Sequence, residues 1–426
     1  MMFRVERGSI VRQTGTNLPK VGHYNRAVVL DLIQLADEGI SRVEIAQHSG
    51  LTPQAVSGIV RRLLDEGIAV EDGSTRGSQG GKPRTTLRIN PRAGWALGLQ
   101  VDPLDIACVL VDLLGRPVVR RSRLLAPGAD PDAVMAWTGE LIDEVLEAAG
   151  VPRHQVLGLG VVAPGPIDQE HGIVLSPPQL AHWVRVPLKQ MLEQLTGMQV
   201  TLDNDATAAA IGERRAGVGR GVANFAYFYL GRGIGGGLIL GHHVHRGGSL
   251  NAAEFGHMTV VPGGPACYCG NHGCLERLIG PVGLAGDVRE RLRAGDAGRE
   301  GILVEAHRRD PDTIDYAAIC RAAAAGDPFA VQVVEEAAEL LAHVVVNVVN
   351  VVDVDLVVIG GHAIAGIEAP LREAVARALA TRPMAREIRT VGVEISPLGA
   401  DAALVGAASL VLHARYSPQV SALLAE

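Results

Sequence analysis

Apolar and polar positions follow one period over the first ninety residues and another beyond them. Between Asn25 and Ala36, apolar Val28, Val29, Leu32, Ile33 and Leu35 recur at helical spacing, which predicts a first helix. Ser41-Arg-Val-Glu44 is a capping box: the Ser41 hydroxyl accepts from the Glu44 amide while the Glu44 carboxylate reaches back. It predicts a short second helix through His48, with Val43, Ile45 and Ala46 as core candidates. Gly50 ends that helix. Thr52-Pro53 starts a third, with Thr as N-cap and Pro at the first position, where its missing N–H costs nothing. This helix is expected to run to about Glu66 and to bury Val56, Ile59, Val60, Leu63 and Leu64. Ile68–Glu71 and Thr85–Asn90 then read as the two strands of a hairpin around a Gly-rich polar tip.

Two short helices joined by a tight Gly-containing turn make a helix-turn-helix, and the hairpin makes it winged. Thr52, Gln54, Ala55, Ser57, Gly58, Arg61 and Arg62 face outward at the start and along the third helix. Small and amide side chains there allow close approach to base edges in a major groove, and arginines further along suit phosphates or guanine. Arg76, Lys82 and Arg84 make the wing tip basic, as a contact to backbone or minor groove requires. A three-helix protein-interaction module with a solvated basic face fits the same residues, so both readings stand at this point.

From Trp95 onward, apolar runs alternate with helical patterns. Ala96–Val101, Ile106–Asp112, Leu157–Val162, Val200–Asp203, Ala223–Leu230, Leu238–Leu240 and Leu356–Ile359 read as strands. Turns rich in Gly and Pro follow several of them, at 163–168, 231–237 and 360–361. That pattern predicts an α/β body of two lobes with a ligand cleft between them. Leu340–Val358 is the most apolar segment, but it contains His343, Asn347, Asn350, Asp353 and Asp355. A spanning helix would bury those groups in lipid, so a buried helix followed by a core strand is expected, with no membrane partner.

Composition changes the picture little. With 426 residues the chain has room for two or three domains, and 47% hydrophobic with 20% charged residues is ordinary for a soluble protein. No segment reads as a secretory signal. Charge is more informative. Residues 1–90 carry 12 Lys/Arg against 9 Asp/Glu, a balance of +3, so the remainder carries −10 of the total −7. A basic head on an acidic body is compatible with nucleic-acid binding by the head.

The densest chemistry lies in residues 254–276. Glu254-Phe-Gly-His257 is followed by Cys267-Tyr-Cys269-Gly-Asn-His-Gly-Cys274-Leu-Glu276. His257, Cys267, Cys269 and Cys274 offer one imidazole and three thiolates, the donor set of a closed, tetrahedral structural zinc site. Clustered rather than spread cysteines also fit a reducing cytoplasm. A disulfide or uncommitted thiols are the plainer alternative. Asn204-Asp205 sits at a predicted strand end. An amide beside a carboxylate can grip vicinal hydroxyls, the carboxylate accepting and the amide donating as well as accepting. The pair could equally be a simple helix N-cap.

These motifs resemble the ROK family of repressors, open reading frames and sugar kinases. Glu-x-Gly-His running into Cys-x-Cys-Gly-x-x-Gly-Cys-x-Glu carries the resemblance. It implies an actin-like, two-lobed fold over about residues 91–412. It also implies sugar contacts from Asn204, Asp205, Glu254, His257 and Glu276, with His257 serving zinc as well. The first ninety residues, including Gly15-Thr-Asn-Leu-Pro-Lys20, look like the winged-helix head of ROK repressors, which ROK sugar kinases ordinarily lack. In the kinases, the aspartate matching Asp205 takes the proton from the attacking sugar hydroxyl. The family's first phosphate loop, Asp-x-Gly-Gly-Thr, is here Asp102-Pro103-Leu104-Asp105; Pro lacks an amide donor and Asp105 repels phosphate. The second loop, Gly231–Gly237, has Arg232 in place of the usual threonine, and Gly360-Gly361 keeps the adenosine position. A family Pro-Asn-Leu stretch before a tryptophan bordering the sugar reads Pro178-Gln179-Leu180 before Trp183.

The expectation is therefore a sugar-responsive transcriptional regulator without kinase activity. It comprises an extension over 1–19, a winged helix-turn-helix over 20–90 and a sugar-binding, dimerising body over 91–426. Operator DNA, a monosaccharide or amino sugar, and a second copy of the chain (as dimer or tetramer) are its expected partners. The alternative is an ATP-dependent sugar kinase with an added regulatory head. Repressor and activator are not distinguished by the residues.

Overall fold

A computed structural model describes residues 18–75, 84–103, 105–126, 128–175 and 183–417. The described residues fall into two compact units, the first holding those up to Ala93 together with those from His413 onward, the second Gly94–Leu412. Gly15-Thr16-Asn17 lie outside the described residues, as do Arg76, Lys82, Leu104 and Pro178-Gln179-Leu180.

The first unit begins with α1 (Leu18–Leu35), which starts seven residues before the apolar periodicity does. Pro19 lies in its first turn, where a missing donor is tolerated. A two-residue strand β1 (Ile40–Ser41) leads into α2 (Arg42–Ser49). The capping box is made in both directions: the Glu44 amide donates to Ser41 Oγ at 3.3 Å, and the Ser41 amide donates to Glu44 Oε2 at 2.9 Å. Gly50 closes α2 in the left-handed region at φ 69°, a position that disfavours any Cβ. α3 (Pro53–Asp65) follows, its N-cap Thr52 accepting from the Ala55 amide at 3.2 Å. Strands β2 (Ala69–Thr75) and β3 (Arg84–Ile89) pair antiparallel, and β1 adds to the outer edge of β3.

Ile45, Val56, Ile59, Val60 and Leu63 are buried here together with Val29, Leu30, Ile33 and Leu87. The expected core needs correcting at three positions. Val43 is 55% exposed, and Ala46 and Leu64 are half-buried. Val43 and Ile45 are two residues apart on one helix and point to nearly opposite sides, so both cannot face one core.

The second unit holds two lobes built on the same topology. In the first, β4 (Trp95–Val101), β5 (Asp105–Val111) and β6 (Pro117–Leu124) form an antiparallel meander. α4 (Pro131–Ala149) precedes β7 (Val156–Ala163), which pairs parallel with β4. A hairpin of β8 (Ile167–Asp168) and β9 (Ile173–Val174) and helix α5 (Leu188–Thr196) lead to β10 (Val200–Asn204), parallel to β7. The sheet order is β10-β7-β4-β5-β6. Helix α6 (Asp205–Ala216) carries the chain onward.

In the second lobe β11 (Phe225–Leu230), β12 (Ile234–Leu240) and β13 (His243–Val244) repeat the meander. Helices α7 (Leu275–Ile279), α8 (Pro281–Ala294), α9 (Ile302–Arg309), α10 (Tyr316–Ala324) and α11 (Pro328–Val352) precede β14 (Leu356–Gly360). After α12 (Glu368–Thr381), β15 (Gly392–Ile395) completes the order β13-β12-β11-β14-β15. The final helix is α13 (Ala402–Tyr416). Counted within each lobe, both sheets run third, second, first, fourth, fifth strand, with the parallel pairs in the same places.

The apolar segment near residue 340 is, as expected, a buried helix followed by a core strand: Leu341, Val345 and Val348 of α11 pack with Val357 and Ile359 of β14. Among the described residues no helix is long and apolar enough to cross a membrane. Small residues bring α6 and α13 together between the sheets. A Cβ on Gly406 would lie 2.1 Å from the Ala208 carbonyl oxygen, and one on Gly160 would lie 1.7 Å from that of Ala407. Backbone approach of this kind leaves no room for larger side chains where α13 meets α6 and β7.

Candidate functional site

A cavity of about 500 Å³ opens between the lobes, at the carboxyl ends of β4, β7, β10 and β11. Crevices at such strand ends are where α/β sheets bind small ligands. Asn204, Asp205, Glu254, His257 and Glu276 all line it, although they come from positions up to 72 residues apart in a chain of 426.

Each is held by its own local chemistry. Asn204 is the N-cap of α6, its Oδ1 accepting from the Ala206 amide at 2.9 Å, so the plain capping role and the cavity position coexist. Asp205 Oδ1 also accepts from the Ala206 amide, at 2.8 Å. Burial, and then the nearby charges of Asp102 and Glu254, push the Asp205 carboxyl up to about 7. Glu254 and His257 flank a single helical turn, Phe255–His257. Phe255 anchors that turn by stacking on Phe228 at 4.6 Å between ring centroids, and a Cβ on Gly236 of β12 would strike its ring. Burial, opposed by His257, raises the Glu254 carboxyl. Glu276 stands in the first turn of α7, and its Oε2 accepts from the Ile234 amide at 2.7 Å.

His257, Cys267, Cys269 and Cys274 place one ligand atom each within 4.8 Å of one another. No disulfide joins them; Cys269 Sγ and Cys274 Sγ lie 3.7 Å apart. Tetrahedral zinc with Zn–S bonds of about 2.3 Å would set its sulfurs about 3.8 Å apart, so the donor set and its spacing fit that metal. The loop is braced independently of any ion. The Cys267 amide donates to the Asn271 carbonyl at 2.8 Å, and Gly273 is left-handed, its absent Cβ giving way to the Val261 carbonyl. His257 turns Nδ1 toward Cys267 Sγ at 3.6 Å and Nε2 toward the cavity.

The rim differs from the floor. Arg232 Nε donates to Asp102 Oδ1 at 2.9 Å, joining the β11–β12 turn to the β4–β5 turn across the cavity mouth. Pro103 lies beside them, and burial followed by the charge of Asp102 raises the Asp105 carboxyl. Beyond Arg232 a second cavity of about 770 Å³ runs along Tyr316, Cys320 and His362. The glycine run expected as a loop is shorter than that. Only Gly231–Gly233 turn, whereas Gly235, Gly236 and Gly237 already pair with β11. Their glycines have a packing cause: a Cβ on Gly237 would meet Ala210 of α6 at 2.5 Å.

Sequence reasoning missed one network. Asp203, with its side chain 2% exposed, pairs with Arg246 at 2.7 Å and accepts from Gln169 Nε2 at 2.6 Å. It ties the strand end carrying Asn204 to the loop that leads to Glu254 and to the β8–β9 hairpin. An Asp before Asn-Asp, and an Arg eight residues before Glu254, carry no local signature of pairing. Trp183 also needs correction. It is buried in the core of the first lobe rather than bordering the cavity, its Nε1 donating to the Ala129 carbonyl at 3.4 Å.

In the first unit, Thr52, Gln54, Ala55, Ser57, Arg61 and Arg62 are all exposed. Two hydroxyls are already engaged: Thr52 caps α3, and Ser57 Oγ donates to the Pro53 carbonyl at 2.8 Å. Arg62 Nε donates to the Gly58 carbonyl at 3.4 Å. Arg84 opens β3, and Arg42 and Arg88 are paired with Glu71 and Asp72 at 2.8 and 2.7 Å.

A winged helix-turn-helix and a two-lobed actin-like body define the class. Residues 97–414 match the ROK family and residues 29–69 match winged helix-turn-helix DNA-binding domains; the chain belongs to the ROK family. It is 30% identical over 395 residues to a putative xylose repressor of Caldicellulosiruptor sp. (strain Rt8B.4), covering 92% of this chain and 96% of that protein. It is 35% identical over 296 residues to the glucokinase of Thermotoga maritima, covering 69% of this chain and 89% of the enzyme. Among solved structures, a ROK family transcriptional regulator homologous to the E. coli MLC protein aligns over 96% of this chain and 100% of its own. The TM-score is 0.75 at 25% identity. A ROK glucokinase from Streptomyces griseus in complex with glucose and AMPPNP aligns over 74% of this chain and 99% of its own, with a TM-score of 0.65 at 31% identity.

Proposed function

We propose that the chain is a sugar-responsive, DNA-binding transcriptional regulator, a repressor of carbohydrate uptake or catabolism genes modulated by a monosaccharide. One observation carries this reading: a winged helix-turn-helix and a polar interlobe cavity occur in one chain that matches a repressor along nearly its whole length. Asn204, Asp205, Glu254, His257 and Glu276 grip the sugar hydroxyls. Zinc held by His257, Cys267, Cys269 and Cys274 fixes the floor on which His257 and Glu276 stand, which is its structural contribution. Thr52, Gln54, Ala55, Ser57, Arg61 and Arg62, with Arg76, Lys82 and Arg84 on the wing, form the operator surface. Residues 20–90 act as the DNA-binding domain and 91–426 as the sugar-binding and dimerising one.

A dimer presents two recognition helices to a palindromic site. Sugar favours the state in which that match is lost, and about 1.4 kcal/mol of differential affinity suffices for a tenfold change. The test is electrophoretic mobility shift on upstream DNA with and without candidate sugars. Sequence-selective binding relieved by one sugar is the expected result, and no selective binding under any of these conditions would sink the reading. Arg61→Ala should cost the operator complex about 1–3 kcal/mol and leave sugar binding intact.

The similarity to glucokinases and the second cavity beyond Arg232 favour a second reading, an ATP-dependent sugar kinase with a regulatory head. The Asp102–Arg232 pair and Pro103 argue against it, because phosphoryl transfer depends on amides and cations free to receive the transferred phosphate. Turnover of ATP with glucose or xylose that vanishes in Asp205→Asn would establish the kinase.

A further inference from the structure

One side chain in the cavity has no part in the assignments above. Tyr268 lies between the ligating Cys267 and Cys269, yet its phenol lines the cavity. Its hydroxyl is 3.2 Å from His257 Nε2, and its ring meets the imidazole edge-on at 5.2 Å between centroids. The Glu276 carboxylate lines the same cavity. With Nδ1 of His257 held by a metal, Nε2 would carry the proton and donate. The phenol would then accept from His257. A sugar hydroxyl bound at His257 has the same role. The side chain is 65% exposed, so it is not clamped by core packing and can swing outward.

We propose that Tyr268 is a built-in stand-in for an effector hydroxyl: it occupies the hydrogen-bonding position at His257 Nε2, and the ligand must displace it. This rests on the sugar-pocket reading given above. Tyr268 then sets the threshold concentration for the effector. It also selects for sugars with a hydroxyl able to replace that hydrogen bond, because a ligand lacking it leaves the half-buried His257 Nε2 unpaired.

The test compares the full-length protein with Tyr268→Phe, which keeps the ring and removes only the hydroxyl. Isothermal titration with D-xylose and D-glucose should show Kd lowered about threefold to tenfold in Y268F, as expected for losing one competing neutral hydrogen bond. Metal content by elemental analysis should be unchanged. Sugar should produce a tyrosine ultraviolet difference spectrum in the unsubstituted protein that Y268F lacks. Equal or weaker sugar binding by Y268F would overturn the inference alone. Absence of binding by both proteins to every monosaccharide tried would overturn the sugar reading, and the inference with it.

Discussion

The floor and the rim of the interlobe cavity follow opposite designs. On the floor, Asp205, Glu254 and Glu276 are carboxylates held by backbone amides, an anchored ring and a loop whose His and Cys side chains could hold a metal. At the rim, the cation and the carboxylate satisfy each other: Arg232 is spent on Asp102, and Pro103 removes an amide donor. A floor of that kind offers acceptors suited to a polyol, whereas the rim's cation is already engaged by a carboxylate. The chain matches both relatives named as repressors and relatives named as glucokinases.

The largest effect expected falls on the floor. Cys269→Ser removes one of the four proposed ligands and should abolish stoichiometric metal, read by elemental analysis, and the sugar response with it. Full metal content would place the ligand set elsewhere. Asp205→Asn follows, with a loss in sugar affinity of about 10- to 100-fold by calorimetry, the range for losing a charged acceptor.

Asp205 also gives a pH signature. Its carboxyl is raised to about 7 by burial and by Asp102 and Glu254, above the unfolded value of about 3.9. The folded chain therefore keeps a proton that the unfolded chain releases between those values. The stability this provides is complete in acid and is lost as pH rises through about 7. Thermal melts of Asp205→Asn, which carries no charge, should lack that step; an unchanged profile would assign it to another group. The smallest effect belongs to the rim. Arg232→Thr removes the cation paired with Asp102 but should move sugar affinity by less than about fivefold, since a partly exposed ion pair contributes about 1 kcal/mol or less. A large loss would erase the distinction between floor and rim.

Legibility in the sequence was uneven for physical reasons. The head was readable almost to the residue, because Ser41/Glu44, Gly50 and Thr52-Pro53 act on their immediate neighbours. Where a helix was too short for its period to show, the reading failed, as at Val43. The five floor residues were found by motif, since each sits in a local signature or at a strand end. The Asp203–Arg246–Gln169 network was not legible, because pairing over 34 to 77 residues leaves no periodicity behind. Nor was the burial of Trp183, which depends on how the first lobe packs. The glycines of 235–237 looked like a phosphate turn and proved to be clearance, Gly235 and Gly237 for α6 and Gly236 for Phe255, because a glycine is silent about which atom occupies its missing Cβ.

Local chemistry in the chain determined the caps, the strand and helix periods, the donor set for a metal and the residue types available to grip hydroxyls. Tertiary structure alone decided that those residues share one cavity, that Arg232 is consumed by Asp102, and that Tyr268 reaches His257. The first group of facts depends on neighbours within a few bonds or one helical turn. The second depends on long-range packing, where a few ångströms separate a free charge from a paired one and an open pocket from a filled one.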